Sequence, residues 1–125
     1  DDVTIVAIGR MTSVAEAAAR SLAADGIGCT IIDPRTVSPL DEETLLDCVD
    51  ATGPLVIVDE AYPRCGMAAD LSSIVVEKAF DSLKAPIIKV TPPHCPVPYA
   101  PQLEEAYLPD QSKVEAAVRK VLGAS

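Results

Sequence analysis

Ile31-Ile32-Asp33-Pro34-Arg35-Thr36-Val37-Ser38-Pro39-Leu40-Asp41 decides how this 125-residue chain is read. A short β-branched run stops at Asp33-Pro34, because the residue before proline is driven out of helical backbone. A buried strand therefore ends there and cannot pass straight into a helix. The next helix is announced by Ser38 as an N-cap, Pro39 at the first helical position, and acids at 41 to 43. Strand, polar elbow and capped helix follow one another within about a dozen residues, and such spacing belongs to an α/β sheet. The elbow puts Asp33, Arg35 and Thr36 at the carboxyl end of a strand, where open α/β sheets carry their working surface.

Outward from the elbow the same grammar repeats. Val3 to Ile8 is a continuous β-rich run closed by Gly9, so the first strand is expected to be buried on both faces. Ser13 to Glu16 fits a capping box, and the Ala-rich helix after it stops at Asp25-Gly26. Cys29 to Asp33 is the second strand, 41 to 51 the second helix, and Leu55 to Val58 the third strand. A polar loop from Ala61 to Gly66 leads into a long helix from Met67 to Leu83. Its apolar residues cover more than one stripe, so it is buried under a second element or faces a partner subunit. Pro86 to Val90 is the fourth strand.

Five prolines then fall within Thr91 to Pro101, a stiff extended strap that cannot enter a sheet interior. A second capping box, Ser112 to Glu115, opens a last helix ended by Gly123. The expected fold is α/β, a three-layer α/β/α arrangement with a mainly parallel sheet of about four strands and right-handed crossovers. The whole of 1–125 reads as one domain.

Composition narrows the function. Ten basic residues against nineteen acidic ones give a net charge of −9, which opposes nucleic acid and anionic membranes as partners. Three Tyr, one Phe and no Trp leave the core to Val, Ile, Leu and Ala. No apolar run approaches the roughly 18 residues of a bilayer span, and no signal peptide stands at Asp1. Cys29, Cys48, Cys65 and Cys95 form no CxxC pair, and with a single His they read as reduced, cytosolic-type thiols rather than a zinc set.

The chemistry-bearing residues do not assemble into a catalytic set. Gly9 to Ser13 lies where a phosphate would sit, yet lacks the glycine fingerprints of nucleotide loops. An ordinary capped turn is the better reading, with Arg10 in a salt bridge or an interface. Asp59-Glu60 resembles a carboxylate pair, but neighbours on an extended chain point apart. A structural role toward the elbow or Arg35 fits better. His94 beside Cys95 diverges in the same way, so it anchors the strap or meets a partner rather than forming a dyad. Arg64-Cys65-Gly66 before a helix is a weak thiolate signal. Tyr99 and Tyr107 suit an interface, where a rigid aromatic docks at low entropy cost.

Taken in order, several segments resemble one known family. They are Asp2-Val3-Thr4-Ile5-Val6 with Gly9-Arg10-Met11, the elbow from Asp33 to Asp41, Leu55-Val56-Ile57-Val58-Asp59-Glu60-Ala61, Pro96-Val97-Pro98-Tyr99 and Ala106-Tyr107-Leu108-Pro109. Together they are similar to the C-terminal, transketolase-type domain of the E1 β subunit of thiamine-diphosphate-dependent 2-oxo acid dehydrogenase complexes. Pro63 to Ala68 and Pro93 to Pro98 look most like the acetoin dehydrogenase branch.

The resemblance implies an assembly domain, a piece of a longer β subunit whose whole enzyme uses thiamine diphosphate with magnesium. No cofactor ligand or catalytic acid carries over to a numbered residue here. Implied partners are an E1 α subunit, a second β subunit and an E2 acyltransferase, in the cytoplasm. Arg10, Arg35, Arg64, Met67, His94, Tyr99 and Tyr107 are the interface candidates. Family domains usually open with an antiparallel edge strand ahead of Asp2, so an exposed sheet edge and self-association are expected. Lys84 and Lys89, near the expected E2-docking surface, would repel a basic segment. The competing readings are the equivalent domain of a transketolase or deoxyxylulose-phosphate synthase, and a flavodoxin-like ligand or redox module.

Overall fold

The computed structural model describes residues 1–123. Its elements are β1 (Val3–Ala7), α1 (Met11–Ala24), β2 (Cys29–Ile32), α2 (Glu42–Thr52), β3 (Leu55–Val58), α3 (Met67–Ala79) with a 3₁₀ turn over Phe80–Ser82, β4 (Ile88–Val90), α4 (Pro101–Tyr107) and α5 (Gln111–Gly123). The four strands form one sheet in the order β2-β1-β3-β4, and every pairing is parallel. That is the expected three-layer α/β architecture.

The pleat sorts β1 and β3 between two cores. Val3, Ile5, Ala7, Val56 and Val58 pack toward α1 and α5, while Val6, Leu55 and Ile57 pack toward α2 and α3. All five residues of β1 and all four of β3 are buried, as the unbroken β-branched runs require of strands covered on both sides. β2 is only half-buried along its length, because it is an edge.

Two threonines enter this core as a pair, Thr4 and Thr52. Thr4 is fully buried; its hydroxyl donates to the Cys48 carbonyl at 3.0 Å and shares a 2.8 Å hydrogen bond with Thr52. The α2 C-terminus is thereby tied to the central strand, its hydroxyl groups satisfied as burial demands.

The helix starts differ from the sequence expectations for one reason: an aspartate or a tight turn outcompetes serine. α1 begins at Met11, since Gly9 at φ +59° turns the chain straight into the helix, and the Ser13 hydroxyl donates to the Arg10 carbonyl instead of capping. At α2 the cap is Asp41 rather than Ser38. At α5 it is Asp110, which accepts the Lys113 N–H at 2.9 Å, while Glu115 accepts from Gln111. A carboxylate accepts more strongly than a hydroxyl, hence the displacement.

Three further corrections concern extent. β2 and β4 are each shorter than expected, and α3 ends at Ala79 before the 3₁₀ turn. Only Ala68, Leu71 and Val75 of α3 are buried, so its second apolar face, with Val76 and Phe80, is left exposed by the described residues. α4 was not expected; Pro101 at its first position starts it out of the strap.

Gly53 follows α2 at φ +95°, and a Cβ there would stand 2.5 Å from the Lys84 side chain, which lies across it. Lys84 Nζ donates to the Thr52 carbonyl at 3.2 Å, satisfying the end of α2. Gly53→Ala is expected to cost more than about 1 kcal/mol in urea denaturation, because alanine resists this backbone conformation. Adding Lys84→Ala should not restore the loss; full restoration would assign the cost to the side-chain collision.

Candidate functional site

The elbow forms a cleft. Val6, Ile32, Leu45 and Leu71 floor it, Asp33, Arg35 and Asp41 stand on its rim, and its volume is about 330 Å³. That is at the lower limit of small-molecule sites. Arg35 Nε donates to Asp33 Oδ2 at 3.2 Å, and its side chain is otherwise 88% exposed. The Ser38–Pro39 peptide is cis, and Val37 pairs with Leu40 across the turn. Asp41 Oδ1 then accepts the Thr44 N–H at 3.0 Å and Oδ2 the Thr44 hydroxyl at 2.7 Å. Every carboxylate on this rim is thus engaged locally, and the one hydroxyl set against a carboxylate, that of Thr44, belongs to the helix cap.

A second set gathers where β3 ends. Asp59 is 4% exposed, and its Oδ1 accepts the Ala61 N–H at 3.1 Å, while Glu60 faces solvent. The two carboxylates diverge as expected, but Asp59 does not serve Arg35, whose partner is Asp33. The loop after β3 and the proline strap are clasped together. The Tyr62 and His94 rings meet edge-on with centroids 5.6 Å apart. Lys89 Nζ donates to the Pro63 carbonyl at 3.0 Å, and the Tyr107 hydroxyl to the Cys95 carbonyl at 3.4 Å. Burial, then the neighbouring Tyr62 and Cys95, push the Tyr107 phenol above its ordinary pKa. Cys65 is exposed at φ +55°, one residue before the Gly66 cap of α3.

The seven interface candidates do not form one site. Arg10 is exposed by Glu104 and Asp110, between α1 and the start of α5. Arg35 is on the elbow, and Arg64 is exposed ahead of α3. Met67 is half-buried against the α2/α3 core. His94 sits on the clasp, and Tyr107 is 7% exposed, an internal anchor of the strap. Tyr99 is 99% exposed, with Val97 at 62% and Leu103 at 61% beside it in sequence. Leu103 was not singled out from sequence; Val76 and Phe80 belong to the wide apolar surface read on the long helix, but a helical apolar stripe does not tell which of its residues a neighbour covers.

Among the described residues no three of His, Cys, Asp and Glu gather into a metal set, and the one buried carboxylate is turned onto Ala61. The residues here do not fit a magnesium-diphosphate group. No helix among them is long and apolar enough to cross a membrane.

A doubly covered parallel sheet, a polar elbow and a clasped proline strap define a transketolase-type α/β domain. The "Transketolase, C-terminal domain" family matches residues 1–114, and the chain belongs to that family. Among its relatives, the β subunit of acetoin:2,6-dichlorophenolindophenol oxidoreductase from Cupriavidus necator is 50% identical over 121 residues, 97% of this chain and 36% of that protein. The Bacillus subtilis subunit of the same name is 43% identical over 123 residues, 98% of this chain and 36% of that one. The pyruvate dehydrogenase E1 β subunit of Rickettsia bellii is 41% identical, covering 97% and 37%. A solved structure described as "Split gene transketolase, inactive beta4 tetramer" superposes with a TM-score of 0.86 at 33% identity, covering 98% of this chain and 40% of that one. The chain spans little more than a third of the curated relatives' length.

The two helix caps give a pH dependence. The Thr44 backbone N–H, then its hydroxyl, hold the Asp41 carboxyl below the usual range; the Lys113 N–H, then the Ser112 hydroxyl, do so for Asp110. Carboxylates depressed in the folded state add stability that is present above the unfolded pKa and lost as pH falls through the folded one. The melting temperature is therefore expected to fall on acidification below about pH 4. Asp41→Asn with Asp110→Asn should flatten that limb, and an unchanged acid limb would remove these caps from it.

Proposed function

We propose that this chain is the carboxyl-terminal assembly domain of the β subunit of a thiamine-diphosphate-dependent E1 enzyme, of the acetoin or pyruvate dehydrogenase kind. The whole enzyme in this reading cleaves acetoin or decarboxylates a 2-oxo acid and passes the acyl group to a lipoyl arm of E2. Bound thiamine diphosphate supplies the carbanion stabilisation for that cleavage. It is held by other parts of the assembly, since the residues here do not fit it.

The observation that carries the assembly role is the rigid apolar surface on the strap and α4. Tyr99, Val97 and Leu103 stand exposed on a segment stiffened by proline and fixed from behind by Tyr107. Presented without freedom to lose, such side chains suit a subunit contact. Arg10, Arg35, Arg64 and His94 lie on exposed surface and are its candidate polar rim, toward the α subunit or a second β subunit. The relatives' names support the E1 β reading. The similarity to a split-gene transketolase supports the alternative, an equivalent domain of a transketolase-type enzyme.

The full-length β chain and its cognate α chain should assemble and turn over acetoin, pyruvate or a branched 2-oxo acid in the presence of thiamine diphosphate and magnesium. Tyr99→Asp with Leu103→Asp should weaken assembly by at least about tenfold, as loss of central apolar anchors does, read by sedimentation. Turnover by the 125-residue chain alone would sink the proposal, and transketolase activity of the assembled pair would select the alternative.

A further inference from the structure

The elbow cleft is built by this chain alone, and of its lining only Arg35 figures in the assembly reading. Val6 of β1, Leu45 of α2 and Leu71 of α3 close its bottom, each no more than 2% exposed. Ile32 and Leu40 line it from half-buried positions and add apolar surface that water still reaches. A volume of about 330 Å³ suits a molecule the size of a free amino acid, well below a nucleotide or a coenzyme.

The charged residues of the lining are Asp33, Arg35 and Asp41, so both signs are present. Asp41 has each oxygen on Thr44, as the cap of α2. Asp33 and Arg35 meet through one contact, Nε to Oδ2. Among the described residues, both terminal nitrogens of Arg35 and Oδ1 of Asp33 have no other partner. An arginine tied through Nε is oriented, while its outer edge keeps the parallel N–H groups that a carboxylate accepts from. Just beyond the lining, Glu42 is taken by Lys78 and Glu43 stands exposed.

A ligand of a single sign is opposed on this rim. A lone carboxylate placed on Arg35 lies beside Asp33 and Asp41, and a lone ammonium placed on Asp33 lies beside Arg35. A molecule carrying an ammonium and a carboxylate on one carbon meets an opposite charge with each. Its side chain is then left to face the apolar wall.

We propose that the elbow cleft binds a free aliphatic amino acid of about the size of leucine. Its carboxylate accepts from the outer edge of Arg35, its ammonium donates to Asp33 Oδ1, and its side chain packs on Ile32 and Leu40. All of these groups belong to this chain, so binding needs neither an α subunit nor a second β subunit.

The test follows the backbone amide resonances of the 125-residue chain during titration with L-leucine, glycine, isocaproate (leucine without its ammonium) and isoamylamine (leucine without its carboxylate). Leucine should give saturable shifts at Ile32, Arg35, Thr36 and Thr44, with half-saturation in the millimolar range expected of a small ligand on an open rim. The other three should each bind at least about tenfold more weakly. Isoamylamine should be the nearest rival, because the acids around the cleft outnumber Arg35. Arg35→Gln should weaken leucine by about tenfold without weakening isoamylamine, whereas Asp33→Asn should weaken both. Both positions are exposed, so circular dichroism should stay native in both variants. No saturable shift at the elbow, shifts centred on another face, or any of the three analogues binding as tightly as leucine would overturn the proposal. So would a leucine affinity indifferent to Arg35→Gln.

Discussion

Double-sided burial of β1 is the constraint on which the rest depends. The strand has a neighbour on each edge and a helical layer on each face, so none of its backbone or side chains meets water. Such a strand must be apolar at consecutive positions, and the following elements must alternate sides to cover it. α1 and α5 take one face and α2 and α3 the other. The hydroxyl that β1 itself carries, on Thr4, is matched by the buried Thr52 hydroxyl and the Cys48 carbonyl, and the match ties α2 to the strand it covers. The elbow and the switch between cores are consequences of where that strand must send its chain.

What could be read from sequence follows the same physics. The four strands and four of the five helices were legible because β-branched runs, Pro and Gly mark their centres and ends. The helix starts were less so: Ser13, Ser38 and Ser112 all look like caps, and none is. Sequence does not rank competing acceptors, whereas folding does, in favour of the nearby carboxylates at Asp41 and Asp110. The pattern of α3 told that its apolar surface was too wide, yet left open what covers the excess. Among the described residues nothing covers Val76 and Phe80, which are exposed. α4 escaped notice because a seven-residue helix leaving a proline run has too few turns to show a period.

The candidate surfaces were legible in kind rather than in membership. Tyr99 and Tyr107 carry the same side chain eight positions apart, but one faces solvent entirely and the other holds the strap to the body. Their separation depends on α4 folding back, which no local signal before Pro101 announces. The polar groups show a comparable division of labour. Asp33, Asp41, Asp59 and Asp110 all serve the backbone or an adjacent side chain, so a chain rich in carboxylates offers few that converge.

The proline strap has a further consequence for how this domain is observed. Five of the eleven residues from Thr91 to Pro101 carry no amide proton. Hydrogen exchange and amide-detected resonance spectroscopy, which report on most of the sheet and helices, therefore see only about half of the segment that presents Tyr99. Of the chain's three tyrosines, Tyr62 meets His94, Tyr107 meets Cys95, and Tyr99 stands on the strap's exposed surface. Aromatic side-chain resonances are therefore its natural reporters, and they separate an event on the strap's outer surface from one that loosens its attachment.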